Sequence, residues 1–470
     1  MKVLHVPYSF HPDPVGGTEI YVEALAQQLH QLGFAVVIAA PSNHDNAYEH
    51  RGIRVRRYTV NVAGGAVREL YGEGDETAAH SFGRILAVEQ PDMLHLHAFT
   101  RGVSLRLVRV AKAHGIPVVF TYHTPTVTCQ RGTMMQWGTQ PCDGLMELHT
   151  CARCTLQAMF EAFWNLEKKE RGVKCKSAKF LGYLLGSLPP NFGTRVGEFD
   201  LQGGHWTALR MTELIELRHA TIRSFLTEVD HIVAVCQWVK DTLICNRVPP
   251  DQVTLCRQGV TEQSNPSRPK LEELSETLES PLQIAFLGRL DPTKGVHILI
   301  QALRSLADAP LRLDIYGMAQ GCVGLGYERK LHDLAAADAR ILFHPPVSAP
   351  DVVSTLRDYD LLAAPSQWLE TGPLVVLEAF AAGVPVVGSR LGGIAELVRD
   401  GFDGILVEPS DVDTWANTLH RLSQNRSILR AMRANVRPPR KMSNVARDMA
   451  AIYRNVLAQR SARSQPLQMT

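Results

Sequence analysis

Short apolar runs that end in turn residues, each followed by a stripe of helical spacing, recur along this chain in two series, and they restrict its architecture more than any other feature. Lys2-Val3-Leu4-His5-Val6 is the first such run. A loop, SFHPDPVGGTE, follows it, and then Ile20, Ala24, Leu25, Leu29 and Leu32 mark one face of a helix. A run that stays apolar instead of alternating suits a strand covered on both faces, and so a parallel sheet. Further runs at 35–40, 53–58, 91–97, 116–122 and 229–235 extend the first series. The second opens at 282–288 and continues through 311–316, 341–343, 361–364, 384–387 and 404–407. Alternating strands and helices of this kind predict an α/β chain with two Rossmann-like, doubly wound parallel sheets.

At 470 residues the chain exceeds one ordinary domain. We read an N-terminal unit over 1–265, a polar, proline-containing connection over 261–281, a C-terminal unit over 282–440, and a final helix with a frayed tail over 441–470. Apolar residues make up 45% and charged residues 20%, enough for a sizeable core, and a formal net charge of only +2 argues against nucleic acid as a partner. No run approaches the length of a membrane span, and the opening MKVLHVPYSFHPD has too short an apolar core for a signal peptide. The expectation is a cytoplasmic protein. The Gly16-Gly17 turn lacks the GxGxxG spacing of a dinucleotide oxidoreductase.

Two constellations carry the chemistry. The first is PSQWLETGPLVVLEAFAAGVPVVGS, residues 365–389, in which Glu370 and Glu378 stand eight positions apart. Pro373 suits a first helical position with Thr371 or Gly372 as the cap, and Gly383 before Val384-Pro385 ends the helix. Around Glu378 that helix offers only Leu374, Val375, Ala381 and Ala382. Its carboxylate must therefore reach solvent, meet a distant arginine, or accept hydrogen bonds from a ligand. The second constellation is Gly288-Arg289-Leu290-Asp291-Pro292-Thr293-Lys294-Gly295 at a strand-to-helix turn. A planar guanidinium and a point-charge ammonium five residues apart suit a diphosphate, and an ion pair with Asp291 explains at most one of them.

These motifs resemble the E-x7-E and GR-x4-KG regions of the GT-B glycosyltransferases, specifically the large retaining family 4 of nucleotide-sugar enzymes. The resemblance implies two Rossmann-like domains facing across a cleft, donor on the C-terminal half and acceptor on the N-terminal half. It implies that Glu370 binds hydroxyls of the donor sugar, Glu378 the ribose, and Arg289 with Lys294 the donor phosphates. Thr371, Gly372, Pro373 and Leu374 would complete the donor loop. Gly16-Gly17 would lie beside the diphosphate and acceptor, and His123, in TYHTP at a strand end, would line the sugar site; His97 is a weaker candidate. The implied reaction moves a sugar from a nucleotide-diphosphate sugar to a carbohydrate or lipid-linked hydroxyl acceptor, in polysaccharide or glycolipid biosynthesis, with no cofactor required. A sugar-phosphate synthase or a silent nucleotide-sugar-binding scaffold would use the same donor motifs. The chain departs from the family at Gln258-Gly259-Val260, where Asn-Gly-Val is usual, and at Pro345-Pro346.

Residues 129–223 interrupt the first series. Cys129, Cys142, Cys151 and Cys154 follow C-x12-C-x8-C-x2-C in a turn-rich context, which fits a structural zinc site, reduced core cysteines, or a redox pair. The other five of the nine cysteines are scattered and read as core-filling. Leu156, Met159, Phe160 and Phe163 form a helical stripe, and Lys168, Lys169, Arg171, Lys174, Lys176 and Lys179 follow it. That pattern suits either a packed excursion or peripheral contact with the inner face of a membrane. GMAQGCVGLGYE, at 317–328, reads as a glycine-rich loop near the nucleotide.

Overall fold

The computed structural model describes residues 1–13, 16–61, 67–163, 173–197, 204–261, 280–336 and 338–464. The chain divides into two units, Met1–Arg257 with Ala446–Thr470, and Gln258–Val445.

The first unit is built on an eight-stranded sheet. Its strands are β1 (Lys2–Val6), β2 (Ala35–Ser42), β3 (Asn46–His50), β4 (Ile53–Thr59), β5 (Met93–Leu96), β6 (Val118–Tyr122), β9 (His231–Ala234) and β10 (Val253–Leu255); a separate hairpin pairs β7 (Met135–Gln136) with β8 (Gln140–Pro141). The order is β10-β9-β6-β5-β1-β2-β4-β3, parallel throughout except for β3 against β4. No alternating signal marks β3, whose residues NAYEH are partly or fully exposed on this edge. The runs β1, β5 and β6 are buried along almost their whole length, as continuous apolarity demands.

The second unit carries β11 (Leu282–Arg289), β12 (Leu311–Met318), β13 (Ile341–His344), β14 (Leu361–Ala364), β15 (Val386–Ser389) and β16 (Gly404–Val407) in the parallel order β13-β12-β11-β14-β15-β16. Strand order reverses between β11 and β14 here and between β1 and β5 in the first unit. Such switch points open a crevice beyond the carboxyl ends of the strands, where α/β sheets bind ligands. Arg289 ends β11, the loop after it carries Lys294, and the loop after β14 carries Glu370.

One reading of the sequence needs correction. The stretch expected to be a loop at 317–328 is instead the end of β12 followed by a helix, Gly321–Ala335. Gly324, Tyr327, Leu331 and Ala335 are its buried positions, a helical period that outweighs the cost of its glycines. Gly324 has its own reason, since a Cβ there would lie 3.2 Å from the Ala319 backbone. The last helix, Met442–Ser464, extends seven residues past Leu457, and residues 465–470 lie outside the described residues.

Candidate active site

In the second unit, two loops from neighbouring strands lock together. Asp291 accepts from Thr293 N–H at 2.9 Å and caps a single 3-10 turn, Pro292–Lys294. Gln367 N–H donates to Thr293 O at 2.6 Å, and Gly295 sits at φ 74° with its Cα against Pro365; a Cβ there would fall 1.9 Å from Pro365 O. Only glycine allows this approach. The docking brings Lys294 Nζ within 2.6 Å of Glu370 Oε1, which also accepts from Ser366 Oγ at 2.8 Å. Asp291 is therefore not the partner of Lys294. Glu370 is buried, and desolvation alone would raise its pKa. The Lys294 charge and the hydrogen bonds from Lys294 and Ser366 outweigh that and hold the carboxyl below its ordinary value.

The backbone of Glu370 is fixed from the other side. Gly393 N–H donates to Glu370 O at 2.6 Å, and a Cβ on Gly392 or Gly393 would come within 2.8 Å of that same oxygen. Gly372 packs on Gln258, whose Oε1 would be 2.7 Å from a Cβ at that position. The glutamine that departs from the family pattern is thus a wall of the loop carrying Thr371 and Gly372. Arg289, at the end of β11, is exposed and has no hydrogen bond or ion pair from its guanidinium among the described residues.

Glu378 sits on a short helix, Leu374–Ala381, with Pro373 as its N-cap, so the helix starts one residue later than expected. Among the described residues nothing donates to its carboxylate. Burial pushes its pKa up to about 7.

In the first unit His123 follows β6 directly and is 5% exposed. Its Nε2 lies 3.1 Å from His97 Nδ1, and His97 Nε2 lies 2.9 Å from His5 Nδ1. His95 joins through ring contact with His97, centroids 3.9 Å apart, and is held by Tyr453 OH at 2.6 Å and Thr121 Oγ1 at 2.7 Å. Burial pushes His5 and His123 down to about 3 and His95 and His97 well below the ordinary histidine value, so all four are neutral. A neutral imidazole has one N–H, and His5 Nε2 is buried without a partner. With the His5 proton on Nδ1, it donates to His97, and His97 donates in turn from Nδ1 to His123 Nε2; the opposite direction would orphan a buried N–H. His123 therefore carries its proton on Nδ1. The sequence pointed to His123 and, more weakly, to His97; β1 and β5 add His5 and His95, whose side chains share this interior only because those strands pair in register.

The helix Gly17–Gln31 starts beside this group, with Tyr21 edge-on to His123 at 4.7 Å. Its first N–H groups are not all open to a ligand, because Gly16 N–H donates to Glu19 Oε2 at 2.8 Å. Beyond the ends of β1, β2, β4 and β5 lies a cavity of about 490 Å³ lined by Ser9, Ser42, Asn61, Thr100, Arg57 and Arg101 among others. Sequence reading missed these residues, although the strand-end rule leads to them. Both arginines are already compensated, Arg57 by Asp13 and Arg101 by Glu69 and Asp75.

Cys129, Cys142, Cys151 and Cys154 line a separate cavity, and Cys245 is exposed, contrary to a core role. Of the basic residues beyond Phe163, Lys168, Lys169 and Arg171 lie outside the described residues, as do the side chains of Lys174 and Lys176. Among the described residues no helix is long and apolar enough to cross a membrane.

Two family models match the chain: glycosyl transferases group 1 over residues 268–438 and a glycosyl transferase 4-like domain over residues 16–158. The chain belongs to the group 1 glycosyl transferases, of GT-B fold. Among its relatives is the D-inositol 3-phosphate glycosyltransferase of Mycobacterium sp. (strain KMS), 40% identical over 142 residues, 30% of this chain and 31% of that protein. The match thus spans under a third of that relative. Sucrose-phosphate synthase from Thermosynechococcus elongatus shares the fold across 98% of this chain and 100% of its own, with a TM-score of 0.64 and 18% identity. Anabaena HepE, solved with UDP and glucose, does so across 96% and 99%, with a TM-score of 0.58 and 16% identity.

Proposed function

We propose that this chain is a retaining glycosyltransferase that moves a sugar from a nucleoside-diphosphate sugar to a hydroxyl of a polyol or lipid-linked acceptor. The observation that carries the reading is Glu378, a half-buried carboxylate with no donor among the described residues. Ribose hydroxyls are donors and would satisfy it. Glu370, held ionised by Lys294, then accepts from hydroxyls of the donor sugar. The bond between the anomeric carbon and the phosphate oxygen breaks as negative charge collects on the departing diphosphate, and Arg289 with Lys294 offsets that charge. The resemblance gives no residue the role of a nucleophile, and Glu370 is already paired with Lys294. The acceptor oxygen therefore attacks from the face the phosphate leaves, and its proton passes to the departing phosphate oxygen.

The cavity at the strand ends of the first unit supports a neutral polyhydroxyl acceptor, since the charges of Arg57 and Arg101 are already met. A phosphorylated acceptor, as the name of the mycobacterial relative states for that protein, is the competing outcome. Peripheral attachment to an anionic bilayer is supported by Phe163, Phe180 and Tyr183, exposed at 67%, 65% and 59%. Flotation with anionic liposomes at low salt tests it, and absence of binding there overturns it.

Thermal shift against a panel of nucleotide sugars, beginning with UDP-glucose, names the donor, because a ligand of the folded state raises its stability. NMR of the product's anomeric centre then decides the stereochemistry. An inverted centre refutes the retaining route, and no stabilisation by any nucleotide sugar refutes the donor site.

A further inference from the structure

The four cysteines singled out by their spacing come from three separate parts of the chain, yet they line one cavity of about 140 Å³ in the first unit. Cys129 follows the turn Pro125–Val127, and its N–H donates to Pro125 O at 2.9 Å. Cys142 leaves β8 and is tied back across the hairpin by Cys142 N–H to Met134 O at 2.9 Å. Cys151 and Cys154 stand one turn apart on the helix Leu148–Phe163, so their thiols leave from the same face. Trp137 N–H donates to Cys154 Sγ at 3.3 Å, the kind of contact that suits a thiolate.

The hairpin region has little regular structure to hold it. β7 and β8 are two residues each, and φ is positive at Met134 and Trp137 as well as at Gly132, Gly138 and Gly144. A segment of this kind ordinarily needs a staple. A separate observation concerns charge. Arg218 is 8% exposed, donates to Thr126 O, and has no carboxylate partner among the described residues. That carbonyl lies on the turn Pro125–Val127, three residues before Cys129. A buried cation without a counter-charge is costly, and a set of thiolates around one divalent ion would supply the missing negative charge.

We propose that Cys129, Cys142, Cys151 and Cys154 close a tetrahedral structural Zn2+ site that fixes the insertion onto the first unit. Among the described residues no three of these sulfurs lie within 4.8 Å of one another. Zn–S bonds of about 2.3 Å set sulfurs about 3.8 Å apart. Metal binding therefore draws the cavity walls inward as each thiol gives up its proton to solvent. Four protein ligands leave no position for substrate, so the ion takes no part in transfer.

Elemental analysis of the full chain, made with zinc available, is expected to find about one zinc per chain. Co2+ exchanged into the site is expected to show thiolate charge-transfer and tetrahedral d–d absorption. A mercurial thiol reagent should release the metal in step with four thiols that are unreactive beforehand. Cys154→Ser is expected to lose the metal; if that variant fails to fold, the stoichiometry and the cobalt spectrum of the unaltered chain decide. Zinc-replete protein with no bound metal, a disulfide among the four cysteines found by mass spectrometry, or full zinc retention in a folded Cys154→Ser protein each overturns the proposal.

Discussion

In the first unit four histidines share one stretch of interior, and burial keeps every one of them neutral. In the second unit Lys294 and Glu370 face each other at 2.6 Å with both charges kept, at 21% and 8% side-chain exposure. The difference lies in available counter-charge. An imidazole escapes the cost of burial by staying neutral and sharing hydrogen bonds, whereas a carboxylate beside a lysine recovers more by staying ionised. The histidines therefore give no titration between pH 5 and 8. Glu378, with neither a counter-charge nor a hydrogen-bond donor among the described residues, is the group expected to give substrate binding a pH dependence.

The strongest way to break this contrast is Lys294→Ala. It leaves Glu370 buried without its partner, at a cost of about 3–5 kcal/mol for a fully buried pair and toward the lower figure here because Lys294 keeps some exposure. Denaturant unfolding should show that loss, and the double change Lys294→Ala with Glu370→Gln should restore much of the stability without restoring transfer. A single variant as stable as the parent refutes the paired reading. Arg289→Ala comes next. It should slow transfer by about 2–4 kcal/mol of transition-state stabilisation yet leave the melting temperature unchanged, since the side chain has no partner to lose among the described residues. Normal kcat/KM in that variant removes Arg289 from the phosphate site.

Glu378 sharpens the comparison through pH. Its folded pKa of about 7 lies above the ordinary 4.5, so the folded state holds a proton that the unfolded chain has lost between those values. Stability of the ligand-free protein should fall as pH rises from 4.5 to 7 and level off beyond, by at most about 3 kcal/mol. Glu378→Gln should flatten that slope. Ligand hydroxyls favour the ionised form, so nucleotide affinity should weaken as pH drops through about 7, and the same variant should bind nucleotide weakly at every pH. Calorimetry across pH 5.5–8.5 measures both, and a pH-independent affinity in the parent chain contradicts the role. The smallest effect is expected at His97, where His97→Phe breaks the chain that orients His123. Turnover should drop by about 1–1.5 kcal/mol, the worth of one hydrogen bond, with the shape of the pH profile unchanged.

How much of this was legible in advance differs between the two units for a physical reason. The donor-side residues lie within two short segments, and the spacings of Arg289, Lys294, Gly295, Glu370 and Glu378 are set by local loop and helix geometry, so the pattern survives in one dimension. What sequence could not reveal was that Lys294 pairs with Glu370, because that contact joins loops 76 residues apart. The histidine group depends on the register of β1 against β5 and β5 against β6, and no local pattern in the chain encodes it. Gln258 looked like a departure that left its loop undefined, and only the close packing on Gly372 shows what it touches. The misread helix Gly321–Ala335 has the opposite cause. Its glycine content is local and conspicuous, while the packing that overrides it comes from Leu290 and His297 on other elements.

The chain leaves the first unit after Arg257 and rejoins it at Ala446. Just inside the second unit, Val260 pairs with the strand-like segment at Lys441, with Val260 N–H on Arg440 O at 2.9 Å and Met442 N–H on Val260 O at 2.8 Å. Entry and exit of the inserted unit are therefore fastened side by side, the condition under which one domain can be transplanted into another with little disturbance. Residues 258–445 thus form a natural cassette. Replacing that cassette with its counterpart from a relative, while keeping Gly259 and the pairing at Val260 intact, is a route to chimeras that keep the first unit, including the Tyr453 hydroxyl that holds His95, wholly native.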